Sequence, residues 1–212
     1  MGQKKKVQFD TLPLFPLPVV LFPESLLPLH IFEERYKLMI SETVDKGSHF
    51  GVVLWDGEAA AVAETGCSAE VIKTEELDEG KMNIMTVGKR RFRIRAMLQE
   101  RPYLLASVEY VDDKECSDEA GEMAEKIRSA IGDILRLSSK IVDKEFVVDG
   151  QIPDDPAQLS FWVASNFYGS PIDQQELLEM LNPIDRLEEE LMVLDAARKH
   201  LAAKASLKDA LG

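Results

Sequence analysis

At 212 residues the chain is long enough to bury a core, as one large domain or as a domain with a smaller second lobe, and 45% hydrophobic with 30% charged residues is ordinary globular composition that argues against wholesale disorder. A formal net charge of -13 disfavours nonspecific attraction to nucleic acid or anionic lipid, since both depend on an excess of Lys and Arg. The two cysteines, Cys67 and Cys116, supply neither a disulfide framework nor a zinc site; free, partly buried thiols in a reducing, cytoplasmic setting are expected, with a single bridge left open.

The chain opens on Lys4 to Lys6 and then LPLFPLPVVLFPESLLPLHIF, residues 12 to 32, a layout that superficially resembles a secretory signal. Asp10 interrupts the approach, and Pro13, Pro16, Pro18, Pro23 and Pro28 would each cost an internal helix about 3 kcal/mol, so no helical signal or anchor is expected. The MGQKKK start lacks the Ser or Thr at the sixth position of a myristoylation pattern, and no other apolar run is long enough to span a bilayer. A soluble protein without a membrane partner follows.

Proline pushes the residue before it toward extended geometry, so Leu12 to Leu29 reads as short strands broken by turns, with Val19 to Phe22 as a candidate strand. Ile31, Phe32, Tyr36, Met39, Ile40 and Val44 recur at three-to-four spacing, which predicts an amphipathic helix ending at Gly47. His49 to Trp55 reads as a buried strand closed by Asp56-Gly57. Strands then follow over Thr65 to Leu77, Met82 to Met97 and Tyr103 to Val111, with turns at Asp78-Glu79-Gly80 and Arg101-Pro102. Residues 1 to 113 therefore form a first lobe of antiparallel strands with one helix, consistent with a closed or nearly closed barrel.

Beyond Asp112-Asp113-Lys114-Glu115 the period becomes helical, and residues 114 to 212 form a second lobe. Met123 to Leu135 marks one helix. Asp155-Pro156-Ala157-Gln158 reads as a capping box opening a helix to Gly169, and Asp173 to Glu176 repeats the signal before Leu177, Leu178 and Leu181. Asn182-Pro183 opens the last helix, whose Ile184, Leu187, Leu191, Leu194 and Leu201 keep a three-four rhythm that suits packing inside its own bundle or against a second copy; the oligomeric state is left open. Acidic residues sit early in this helix and basic ones late, matching the helix dipole.

The chemistry-bearing motifs are absent. There is no phosphate-cradling loop, nucleophile elbow or zinc helix, and His30, His49 and His200 fall in three different elements. No cofactor, metal or catalytic residue is expected. Carboxylate runs such as Glu188-Glu189-Glu190 read as a solvated helix face. One local charge feature stands out: in GKRRFRIRAM, Gly88 to Met97, alternation places Phe92 and Ile94 on one face of a strand and Arg91, Arg93 and Arg95 on the other. A basic stripe for RNA, using Lys89, Arg90, Arg91, Arg93 and Arg95, is the functional reading; arginines paired with neighbouring carboxylates is the plainer one.

LPLFPLPVVLFPESLLPLHIFEERYKLMI, TGCSAEVIKTEEL, MNIMTVGKRRFRI and IDQQELLEMLNPIDRLEEEL, in that order, resemble the N-terminal domain of Lon proteases, and specifically free-standing bacterial proteins made of that domain alone. The resemblance spans roughly residues 9 to 203. It implies an α+β fold: an N-terminal PUA-like antiparallel β pseudo-barrel with one helix, followed by a C-terminal α-helical bundle. The ATPase and protease domains of full-length Lon are missing, so neither ATP use nor hydrolysis carries over, and no RING-type cysteines support a ubiquitin ligase.

What the resemblance implies is noncatalytic polypeptide binding or adaptor work in protein quality control, with unfolded client polypeptides as partners and a protease or chaperone as the machinery served. The candidate binding residues are Phe22, Leu26, Leu27, Ile31 and Tyr36. Phe15, Val20 and Phe32 are expected in the core, and the Pro23 to Pro28 turn is expected to leave Leu26 or Leu27 exposed.

Overall fold

The computed structural model describes residues 9 to 211 apart from 147 and 149. The Lys4 to Lys6 run and the MGQKKK start lie outside the described residues. The fold is α+β, in two compact units: residues 1–112 with 168–179, and residues 113–167 with 180–212.

Six strands build the first unit: β1 (Phe9–Leu17), β2 (Leu26–Ile31), β3 (Phe50–Asp56), β4 (Ala61–Glu76), β5 (Met82–Gln99) and β6 (Leu104–Tyr110), with helix α1 (Glu34–Asp45) between β2 and β3. Pairing runs β5–β4–β3–β1–β6 and back from β6 to β5, which closes a five-stranded barrel; β2 lies outside this ring, on the first half of β5. The ring is not wholly antiparallel. β1 and β3 pair in parallel, because β2 and α1 carry the chain across before β3 begins.

β1 accommodates its prolines through its pairing. Phe9 to Leu14 pair with β6 and Leu14 to Leu17 with β3, so Pro13 and Pro16 each sit in a half with a single neighbour, where a missing N–H can face the open side. Inside the barrel, Phe15, Tyr36, Met39, Ile40, Phe50 and Val52 form one buried cluster, and Leu12, Leu14, Val53, Phe92 and Val108 another. Phe15 and Tyr36 stack at 4.1 Å between ring centroids.

α1 ends as its sequence predicts. Gly47, at φ 57°, takes the left-handed position after the helix, and Gly47 and Ser48 return their amides to Val44 and Thr43. Val19 to Phe22, in contrast, form no strand. Residues 18 to 25 turn between β1 and β2, and Leu21 and Phe22 are buried from that turn. Four apolar residues describe a buried loop as well as a strand.

The second unit contains α2 (Asp118–Val142), α3 (Pro156–Phe167) and α5 (Pro183–Leu211). Asp155 caps α3 by accepting the Gln158 amide at 2.9 Å. Leu187 and Leu194 are buried, as the three-four rhythm requires, but so is Glu190, which the Glu188 to Glu190 run placed on a solvated face. Arg186 is fully buried on the same helix. Its guanidinium grips both carboxylate oxygens of Asp113 at 2.7 Å, donates to Ser160 Oγ and the Met180 carbonyl, and lies 4.1 Å from the Phe161 ring centroid.

Helix α4 (Pro171–Glu179) belongs to the barrel unit, not to the helical lobe in which the sequence placed it. It starts at Pro171, ahead of the expected Asp173 cap, because Ser170 accepts the Asp173 amide at 3.4 Å and proline suits the first helical position. Among the described residues no helix is long and apolar enough to cross a membrane.

Candidate polypeptide-binding surface

The proline-rich segment yields one strand with two chemically different faces. Along β2, Leu27, Leu29 and Ile31 turn inward against the core, while Leu26, Pro28 and His30 turn outward, followed by Phe32. Leu26 is 62% exposed and Phe32 58%. The two-residue period of a strand forces this division: one side chain in two is core and the next is surface.

β5 continues the outer face. Val87, Met85 and Asn83 stand opposite Leu26, Pro28 and His30, and Lys73 and Glu75 of β4 stand opposite Met85 and Asn83. A shallow groove of about 430 Å³ runs there, lined by Pro28, His30, Met85 and Lys73 among others. The His30 and Phe32 rings stack at 5.9 Å, and His30 Nδ1 meets Asn83 Oδ1 at 2.8 Å.

Among the described residues β2 pairs with β5 alone, so its other edge is open. Gly88 donates its amide to the Ser25 carbonyl at 2.9 Å, which puts the hydrogen-bonded positions at Ser25, Leu27, Leu29 and Ile31. The backbone groups of Leu26, Pro28 and His30 therefore face away from β5. Pro28 has no N–H to present, a common way to blunt an edge strand. The bend entering β2 depends on Gly88: a Cβ there would stand 2.1 Å from the Phe22 carbonyl oxygen.

Of the five residues the sequence nominated, the structure leaves one fully at the surface. Leu26 is exposed and Leu27 half-buried, but Phe22, Ile31 and Tyr36 are core. Burial pushes the Tyr36 phenol pKa up, partly offset by Arg35, whose guanidinium lies 4.5 Å from the ring centroid. Phe15 is buried as expected, and Val20 is half-buried. Phe32, expected in the core, is exposed, because α1 starts only at Glu34 and the strand alternation extends past Ile31 to reach it. Alternation from Leu26 to Phe32 was the signal available for it, hidden by reading Ile31 and Phe32 with the helix.

The basic strand is not a free stripe. Lys89 pairs with Glu70 at 2.8 Å, which raises the pKa of the lysine and lowers that of the glutamate. Arg90 pairs with Asp112 at 3.1 Å over the Tyr110 ring, and Arg95 pairs with Glu109. Arg93 is half-buried opposite Thr65 and Glu109. Arg91, expected outward in solvent, is 3% exposed and donates to the Leu178 carbonyl at 2.8 Å, because α4 covers that face of β5.

Cys67 is buried with its thiol pushed up to about 12 by desolvation, and Cys116 is exposed; both are free.

Residues 11–196 match the family model of the ATP-dependent protease La (LON) substrate-binding domain. The chain is 30% identical over 199 residues to the Lon protease of Roseiflexus castenholzii, covering 91% of this chain and 25% of that protein. It is 29% identical over 194 residues to the Lon protease of Desulfovibrio desulfuricans, covering 84% and 21%. The chain thus spans about a quarter of the length of these relatives. Among solved structures, a Lon N-terminal domain protein from Xanthomonas campestris superposes with a TM-score of 0.67 at 24% identity, covering 86% of this chain and 98% of that one. The N-terminal domain of the Mycobacterium avium complex Lon protease does so with a TM-score of 0.69 at 16% identity, covering 88% and 98%. At these identities the two structures establish the fold.

Proposed function

Because the chain belongs to the ATP-dependent protease La (LON) substrate-binding domain family, we propose that it is a noncatalytic module that binds exposed apolar segments of other polypeptides. The observation that supports the reading is the outer face of β2. Leu26 and Phe32 are apolar and more than half exposed, and they flank an open strand edge whose backbone groups can pair with an extended segment.

Main-chain pairing gives such a surface affinity for many sequences, and the Leu26 and Phe32 positions would select for apolar side chains at alternate places. Unfolded clients fit this requirement, since they present what folded proteins bury. A protease or chaperone is the machinery that such binding would serve.

The test is a double substitution, Leu26→Ser with Phe32→Ser, in which both side chains are already exposed and the core is untouched. Binding to a reduced, carboxymethylated protein is followed by fluorescence anisotropy, with thermal unfolding as the control. The expected result is at least about tenfold weaker binding at unchanged unfolding temperature. Unchanged binding by a folded double variant would overturn the reading.

A further inference from the structure

Besides β2, Phe9 to Pro13 of β1 and Glu70 to Glu76 of β4 also have a single neighbouring strand among the described residues. Both of these edges are guarded. In β1 the Thr11 amide donates to Asp10 Oδ1 at 2.8 Å and Pro13 has no N–H to offer. In β4 the register shifts between Val71 and Lys73, and the exposed Lys73, Glu75 and Glu76 bring charge to the edge. β2 has no register shift and no Asp, Glu, Lys or Arg, so Pro28 is its one guard.

The free edge of β2 carries an uneven set of groups. Leu26 and His30 each present an N–H and a carbonyl, whereas Pro28 presents a carbonyl alone. A strand laid against this edge therefore donates to three carbonyls from three alternate residues. In an antiparallel arrangement the donors stand opposite Leu26, Pro28 and His30; in a parallel one each is displaced by one residue along the segment, and the spacing stays two. The residues between the donors turn their amides to the far side, away from β2.

On the reading of β2 as the polypeptide-binding edge, we infer that the bound segment joins β2 as an added strand chosen by the phase of its backbone N–H groups. The substrate class is an extended segment with a free N–H at three alternate residues, in either chain direction. Proline is accepted at the intervening residues and rejected at the three donors, where it removes the N–H and sets its ring against a β2 carbonyl. A helical segment does not fit, because its N–H groups are bonded within the helix.

A fluorescein-labelled peptide of about seven residues, with leucine and threonine in alternation, tests the inference by anisotropy. Three N-methyl groups on alternate residues leave one peptide edge intact, while three on consecutive residues interrupt both edges, whatever the register. The alternately methylated peptide is expected to bind within about twofold of the unmodified one, and the consecutively methylated peptide at least about tenfold more weakly. The unmodified peptide should also slow amide hydrogen exchange at Leu26 and His30, read by NMR. Equal affinity of the two methylated peptides, no binding of the unmodified one, or unchanged exchange at both amides would each overturn the inference. Weaker client binding by Leu26→Ser/Phe32→Ser together with equal affinity of the two methylated peptides removes this inference and leaves the polypeptide-binding reading standing.

Discussion

Replacing Glu190 by Gln should stabilise the helical unit increasingly as pH rises. Glu190 is fully buried on α5 and neither carboxylate oxygen has a hydrogen-bond partner. Desolvation pushes its pKa up from 4.5 to about 9, with Arg186 one turn earlier pulling the other way. The folded state thus holds this proton far more tightly than the unfolded chain does. The stability that Glu190 permits is fully present below about pH 4.5 and is lost as pH rises through the interval up to about 9. Between about pH 5 and pH 8 that is roughly three pH units at 1.36 kcal/mol each, or about 4 kcal/mol as an upper bound. A glutamine carries no such linkage. For a chain of this size the loss corresponds to roughly 10 °C in unfolding temperature. Thermal unfolding followed by circular dichroism at 222 nm, on wild type and Glu190→Gln across this range, measures it. The many other carboxylates cancel in the difference between the two proteins. A difference that stays flat from pH 5 to pH 8 would refute the buried, protonated Glu190.

Arg186→Met should destabilise by about 3–5 kcal/mol in urea titrations, because it removes both guanidinium hydrogen bonds to Asp113 from a largely buried ion pair; adding Asp113→Asn should recover part of the loss. Gly88→Ala should cost about 1–3 kcal/mol or more, since its Cβ would meet the Phe22 carbonyl, a backbone atom that cannot swing aside. Ellman's reagent on the native protein at about pH 8 should titrate Cys116 and leave Cys67 unreacted until denaturant is added, because a buried thiol at about 12 carries almost no thiolate.

The parts of the fold that periodicity dictates were legible. β3 to β6 and the helices α1, α2, α3 and α5 follow from alternation, three-four spacing and caps such as Asp155 and Gly47. What escaped was decided by pairing at long range. Nothing local says that β1 pairs in parallel with β3, or that α4, nine residues among helices, packs with the strands through Gln175 to Thr65 and Arg91 to Leu178. Arg91 shows the consequence: its strand alternation was read correctly, but the face assigned to solvent lies under α4. Glu190 failed for a similar reason, and the burial of Arg186 beside it was not foreseen. A charge reads as surface unless its partner is known, and Asp113 lies 73 residues from Arg186.

The candidate surface was legible in composition but not in direction. The sequence located the apolar, proline-interrupted segment, yet Phe22, Ile31 and Tyr36 proved to be core while Phe32 proved to be surface. Hydrophobicity alone cannot separate the two, because an apolar side chain is favoured inside and is also what a polypeptide-binding face requires. Strand geometry does separate them: within β2 each inward residue holds the barrel and each outward one is free of it. This division bears on the proposed binding role. Pro28 sits on the outward set, where it removes an edge N–H without costing the ladder to β5, so the edge can stay open with one fewer donor to recruit a second copy of the sheet. On the proposed reading, Leu26 and Phe32 meet the bound segment while Leu27, Leu29 and Ile31 keep the strand in register.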